Sequence, residues 1–234
     1  MKRYIITLLV LVLVLAVACK TNNKAASSQK YPPESNLLVN PGFEEGAAGW
    51  KWMDWSPAWA PFDISDKIAH SGKKSALLTI DERPGMPHKK IRGVVQTLKP
   101  EQFPEIAAGW YKIEKWNRGV PKQYLQFVVI AWEKFDKFPN YQLRYVLEGY
   151  TAEPLGITNA KYTILTEVTE PDTGKWKHFE VRIKDDYERL WGKVPSKYEK
   201  LNFFFEARFD DLPRGDAHIV AEVHYDDLYV GDDK

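Results

Sequence analysis

A chain of 234 residues with 33 Lys and Arg against 32 Asp and Glu has a formal charge of +1, which excludes the basic field that nucleic-acid binding needs. Its single cysteine excludes an intramolecular disulfide. Nine Trp, twelve Tyr and eleven Phe supply rings for a core and, beyond it, apolar faces on which a flat ligand can stack.

In chain order, Lys2 and Arg3 precede an apolar run from Ile5 to Ala18, the layout of a secretory signal. The run is shorter than the about 20 residues a helix needs to cross hydrocarbon, and the segment after it is polar. Ala16-Val17-Ala18-Cys19 resembles a lipobox, with Ala16 where leucine is commonest. That resemblance implies cleavage before Cys19 and acylation of this residue, so that a lipid anchor holds the mature chain in the cell envelope, outside the cytoplasm. Each buried CH₂ of such an anchor contributes about 0.8 kcal/mol. The alternative is an ordinary cleaved signal in which the cysteine falls there by chance. Residues 1–18 are then the signal, 19–35 a flexible tether of Ser, Ala, Asn, Lys and Pro, and 36–234 one domain.

Short β-type runs recur between turn signals: Leu37 to Val39, Ser75 to Ile80, Ile91 to Lys99, Ile106 to Trp116, Lys122 to Glu133, Tyr141 to Leu147, Tyr162 to Val168, Trp176 to Lys184, Leu201 to Asp210 and Ala217 to Val230. Such spacing predicts an all-β fold, an antiparallel β-sandwich. Phe179, Val181 and Ile183 point to one face, His178, Glu180 and Arg182 to the other. Leu201, Phe203, Phe205, Ala207 and Phe209 form a second inward series, and Tyr124 to Trp132 is apolar on both faces, as a central strand covered on both sides requires. Asp185 to Trp191 reads as a short helix capped by Asp185 or Asp186. Near the end, Ile219, Ala221 and Val223 have one parity and Leu228 and Val230 the other, so a β-bulge near Tyr225 and Asp226 is expected. Asp226 then shares the inward face of Leu228 and Val230, where a carboxylate must be paired, hydrogen-bonded or metal-bound.

The phrase Asn36-Leu-Leu-Val-Asn-Pro-Gly-Phe-Glu44 with Trp50 after it, then His70-Ser-Gly-Lys-Lys-Ser75, Val94-Val-Gln-Thr97, Gly174-Lys-Trp-Lys-His-Phe179 and Tyr225-Asp-Asp-Leu-Tyr-Val230, resembles in its order the carbohydrate-binding modules among the galactose-binding-like jelly rolls. The segment from about Lys115 to Glu170 is longer than in compact members. The resemblance implies a jelly-roll domain with Trp50 in its core, and a structural Ca²⁺ held by Glu44, Asp226 and the backbone around Ser71 and Lys73. Ca²⁺ prefers six to eight oxygen ligands. The residues themselves leave open a turn in which Glu44 and Asp226 accept backbone N–H bonds without an ion; Asp227 is expected to face solvent.

Trp52, Trp55 and Trp59 lie in a Pro-containing loop and are the first ligand candidates, because sugar rings present C–H faces that stack on indole. Closure of one end of the core is the competing use of these rings. On the face opposite the core, Gln126, Arg144, Phe204, Glu206 and Arg208, joined by Trp110 or Trp132, can line a groove for a polyol; cross-strand ion pairs on a solvated sheet are the plainer account. No P-loop, dinucleotide fingerprint, GxSxG elbow or HExxH is present. Glu206, Glu222, Asp63 and Asp66 could each be nominated as glycosidase carboxylates, but nothing selects a pair. His218, Glu222 and His224 share parity as a solvent-facing stripe. The expected partners are a glycan or polysaccharide and, through the anchor, a membrane. A non-catalytic assembly lipoprotein that binds another envelope protein is the rival reading, and an envelope polysaccharide-acting enzyme a third.

Overall fold

The computed structural model describes residues 31–85, 88–132, 141–151, 160–165 and 169–233. The signal, Cys19 and the tether through Lys30 lie outside these residues, as do Glu133 and the end of the run expected at Tyr162 to Val168.

Two sheets face each other. One has six strands in the order β1 (Trp59–Ala60), β4 (Ile91–Leu98), β10 (Lys200–Phe209), β6 (Gln123–Trp132), β7 (Tyr141–Gly149) and β8 (Ala160–Ile164). The other has five, in the order β2 (Asp63–Ser65), β3 (Ser75–Glu82), β11 (Ile219–Gly231), β5 (Ile106–Asn117) and β9 (Trp176–Val181). Pairing is antiparallel throughout the interior of both sheets, and only the edge pairs β1–β4 and β7–β8 are parallel. The fold is an all-β sandwich.

Alternation produces the core directly. Leu201, Phe203, Phe205, Ala207 and Phe209 all turn inward on β10, where Phe205 stacks on Phe127 of β6 at 4.9 Å and meets Phe179 of β9 and Tyr225 of β11. Each such ring withdrawn from water contributes roughly 1.5–3 kcal/mol. Nearly every residue of β6 is buried, as a central strand covered on both faces requires.

Three expectations fail for local reasons. Leu37 to Val39 form no strand, because a side chain takes over the pairing: Asn36 Oδ1 accepts the N–H groups of Leu38 and Val230, and its amide donates to Leu228 O. Within the segment read as tether, Tyr31 is buried, since the small Ala108 leaves room beside Ile106 for it to stack on Tyr229 at 4.5 Å, while Pro33 and Glu34 are exposed. Ile183 continues no strand. It opens the helix α1 (Ile183–Trp191), whose N-cap is Arg182 without a side-chain bond. Asp185 and Asp186 instead sit in the first turn, paired with Arg182 and Arg189, and Asp186 Oδ2 also accepts the Tyr145 hydroxyl at 2.8 Å.

Candidate functional site

The side chains singled out on β6, β7 and β10 do fall on one face, the side of the six-stranded sheet turned away from the core. Register sets Glu206 beside Gln126 and Gly93, Phe204 beside Val128 and Val95, Arg208 beside Tyr124 and Ile91, and Arg144 beside Val128. They are not a solvated ladder: Gln126, Arg144, Glu206 and Arg208 are all buried. Buried charge must be paired, and here it is. The Gln126 amide donates to Glu206 Oε2, Arg208 Nη1 lies 3.7 Å from the same oxygen, and Arg208 Nη2 lies 2.5 Å from Asp210 Oδ1. Tyr124 places its ring 5.6 Å under the guanidinium and donates its hydroxyl to Asp210 at 2.8 Å. Burial works to discharge Arg208, but Tyr124, Glu206 and Asp210 outweigh it and raise its pKa. Arg144 makes a fork onto Gln142 Oε1, with bonds of 3.0 and 2.7 Å. Gln126 Oε1, also buried, accepts no hydrogen bond among the described residues, an unused acceptor in the middle of the polar group. Tyr124, Gln142 and Asp210 were not anticipated; the first two have the parity of Gln126 and Arg144, a signal that was there to be read.

The loop tryptophans divide by burial. Trp59 is 4% exposed. It lies on Gly93 so closely that a Cβ there would come within 2.8 Å of the indole, and with Phe204, Ile91, Val95, Val128 and Ile130 it builds a second apolar cluster on this outer face. Trp59 is therefore a packing residue. Trp52 and Trp132 sit half-buried against the same cluster, whereas Trp55 is 74% exposed. Trp50 is in the core, stacked on Phe43 at 5.0 Å. Trp110 belongs elsewhere: it lies on the outer face of the five-stranded sheet, beside His178 of β9, and cannot join Gln126.

At the bulge, Asp227 is the extra residue and takes the left-handed conformation, with φ 47°. Asp226 stands opposite Trp110 on the outward side, while Leu228 turns inward, so Asp226 does not share the face of Leu228 and Val230. Nor does Asp227 face open solvent: its carboxylate takes His70 Nδ1 at 2.6 Å and the Ser71 hydroxyl at 2.7 Å. Asp226 is completely buried, with Oδ2 accepting His70 N and Ser71 N and Oδ1 accepting Asp227 N. Burial, and next the Asp227 charge, push its pKa up to about 7. Glu44 Oε1 accepts Lys73 N and Lys74 N at 2.7 and 2.8 Å, and these bonds lower its pKa. For a Ca²⁺ cage the donor set fits poorly. The groups facing Glu44 and Asp226 are N–H donors, whose positive ends oppose a cation.

No family model matches the chain, and no curated protein matches it. Among solved structures it is similar to a family 61 carbohydrate-binding module in complex with β-1,4-galactotriose, at 13% identity over 83% of this chain and 97% of that one, TM-score 0.41. A family 28 module specific for non-crystalline cellulose is similar at 11% identity over 84% and 96%, TM-score 0.46. The enzymatically active domain of tailspike protein 4 of bacteriophage CBA120 is similar at 9% identity over 86% of this chain and 22% of that one, TM-score 0.47.

The nominated carboxylates Glu206, Glu222 and Asp63 lie on different strands. Glu206 is on the outer face of one sheet and Glu222, which binds Lys115 at 2.6 Å, is on the other sheet, with Asp63 on the edge strand β2. The expected histidine stripe also splits. His218 meets Asp81 at 2.6 Å, whereas His224 is buried beside the Ser75 hydroxyl at 2.9 Å, and burial lowers its pKa.

Proposed function

We propose that this protein is a glycan-binding module held in the cell envelope by an acyl group on Cys19. The binding face is the outer side of the six-stranded sheet, where Trp52 and Trp55 supply indole faces beside the buried polar network of Gln126, Glu206 and Arg208. One observation carries the reading: a polar network buried on the side of a sheet that a sandwich normally leaves to water, with the Gln126 acceptor unused at its centre. Amide, carboxylate and guanidinium groups in a partly dry site match the alternating donors and acceptors of a polyol, and neighbouring rings match its C–H faces.

The test is affinity electrophoresis of the unit Tyr31–Lys234 through gels containing soluble β-glucans, galactans, xylans and mannans. Retardation by one or more of them is expected, with Trp55→Ala and Glu206→Gln each relieving it. Migration unchanged in every gel would remove the glycan reading. For the anchor, metabolic labelling with a radioactive fatty acid is expected to mark the wild type and not Cys19→Ser.

A further inference from the structure

We propose that the outer face of the five-stranded sheet is the side of the domain that rests against the lipid headgroup surface, so that the six-stranded sheet presents its polar face away from the membrane. The inference rests on the acylation of Cys19 proposed above. It starts from where the chain enters the domain. Tyr31 is buried on the outer face of the five-stranded sheet, over Ile106 and Ala108 and stacked on Tyr229, and Ser35 Oγ lies 2.8 Å from the Tyr229 hydroxyl. The entry point is therefore pinned to this face.

Spacer length sets the rest. The twelve residues 19–30 reach about 40 Å if fully extended and roughly 20 Å as a flexible coil. Turning the six-stranded sheet toward the membrane would lead the spacer round a sheet edge and across a sandwich whose sheets alone stand about 10 Å apart. That path takes up the whole of the coil's roughly 20 Å reach and leaves the spacer less conformational freedom than the direct one. Lys20, Lys24 and Lys30 are the only charges in the spacer. Each basic residue near an anionic leaflet contributes about 1 kcal/mol of attraction, which draws the spacer in.

The face itself has the chemistry of a bilayer interface. Trp110 and Trp176 are half-buried and His178 is less covered; His70 stacks on Trp110 at 4.0 Å and meets Trp176 edge-on at 5.4 Å. Indole, apolar in body and polar at its N–H, is favoured at the headgroup level. Charges nearby are mostly matched, with Glu114 on Lys112 and Glu222 on Lys115, so an anionic surface meets little repulsion there.

The experiment uses the full-length acylated protein on vesicles of phosphatidylethanolamine and phosphatidylglycerol. Single cysteines are placed at exposed positions, Thr79→Cys and Glu180→Cys on the five-stranded face and Thr97→Cys on the six-stranded face, and carry a fluorescent label. Lipids spin-labelled at the headgroup are expected to quench the first two several-fold more than the third. Equal or reversed quenching on protein that floats with the vesicles overturns the orientation and leaves the anchor standing. Protein that does not float overturns the anchor, and the orientation falls with it.

Discussion

Glu44 and Asp226, far apart in sequence, grip one turn from its two ends. Asp226 accepts the N–H groups of His70 and Ser71, and Glu44 those of Lys73 and Lys74. Gly72 sits between the two grips with φ 61°, and a Cβ there would come within 2.4 Å of Glu44 Oε1. The opening loop and the closing strand are thus joined through a turn that belongs to neither.

Gly72→Ala is expected to lower the melting temperature more than Gly46→Ala. Both positions have the left-handed backbone that a Cβ strains by about 1 kcal/mol, but Gly46 has open space around it and Gly72 has the Glu44 carboxylate. Equal losses in thermal unfolding would mean that the carboxylate contact contributes nothing.

Asp226 makes stability depend on pH in an unusual direction. Its pKa in the fold is about 7 against an ordinary 3.8, so between those values the folded chain holds more protons than the unfolded one. This contribution is fully present below 3.8 and is lost as the pH rises toward about 7. Asp226→Asn is expected to flatten the curve in that window, read from urea midpoints at a series of pH values. An unchanged slope would show that the group ionises normally.

The hydrogen-bonded clasp predicts that a chelator leaves the melting temperature where it was, because the carboxylates are held by backbone N–H groups. A fall of several degrees with EDTA, reversed by added Ca²⁺ and by no other divalent ion, would show that an ion binds the turn after all.

Trp59 and Trp55 separate packing from recognition. Trp59→Ala empties the space over Gly93 and is expected to cost about 3–5 kcal/mol in denaturant unfolding. Trp55→Ala, in solvent, is expected to stay within about 0.5 kcal/mol of the wild type while losing retardation in the glycan gels. A large stability loss at Trp55, with retention unchanged, would reverse the assignment.

The sandwich was written in the chain because a strand's periodicity is local: alternate residues from Leu201 to Phe209 face alternate sides whatever else is present, and all five of the inward set reached the core. Parity likewise puts Gln126, Arg144, Glu206 and Arg208 on one face without reference to the fold. Burial of that face was not legible, since whether a polar side chain meets water depends on what packs over it. The same limit divided Trp59 from Trp55, two similar rings four residues apart, one seated on Gly93 and the other in solvent. Asp226 faces outward because the extra residue, Asp227, comes after it; the pattern of apolar positions requires a bulge but does not fix which residue is the extra one. What the chain determines by itself is which residues alternate. Which alternating face is covered, and by which distant segment, is settled only when non-local contacts close, because the free energy of burial belongs to pairs of surfaces and not to either one alone.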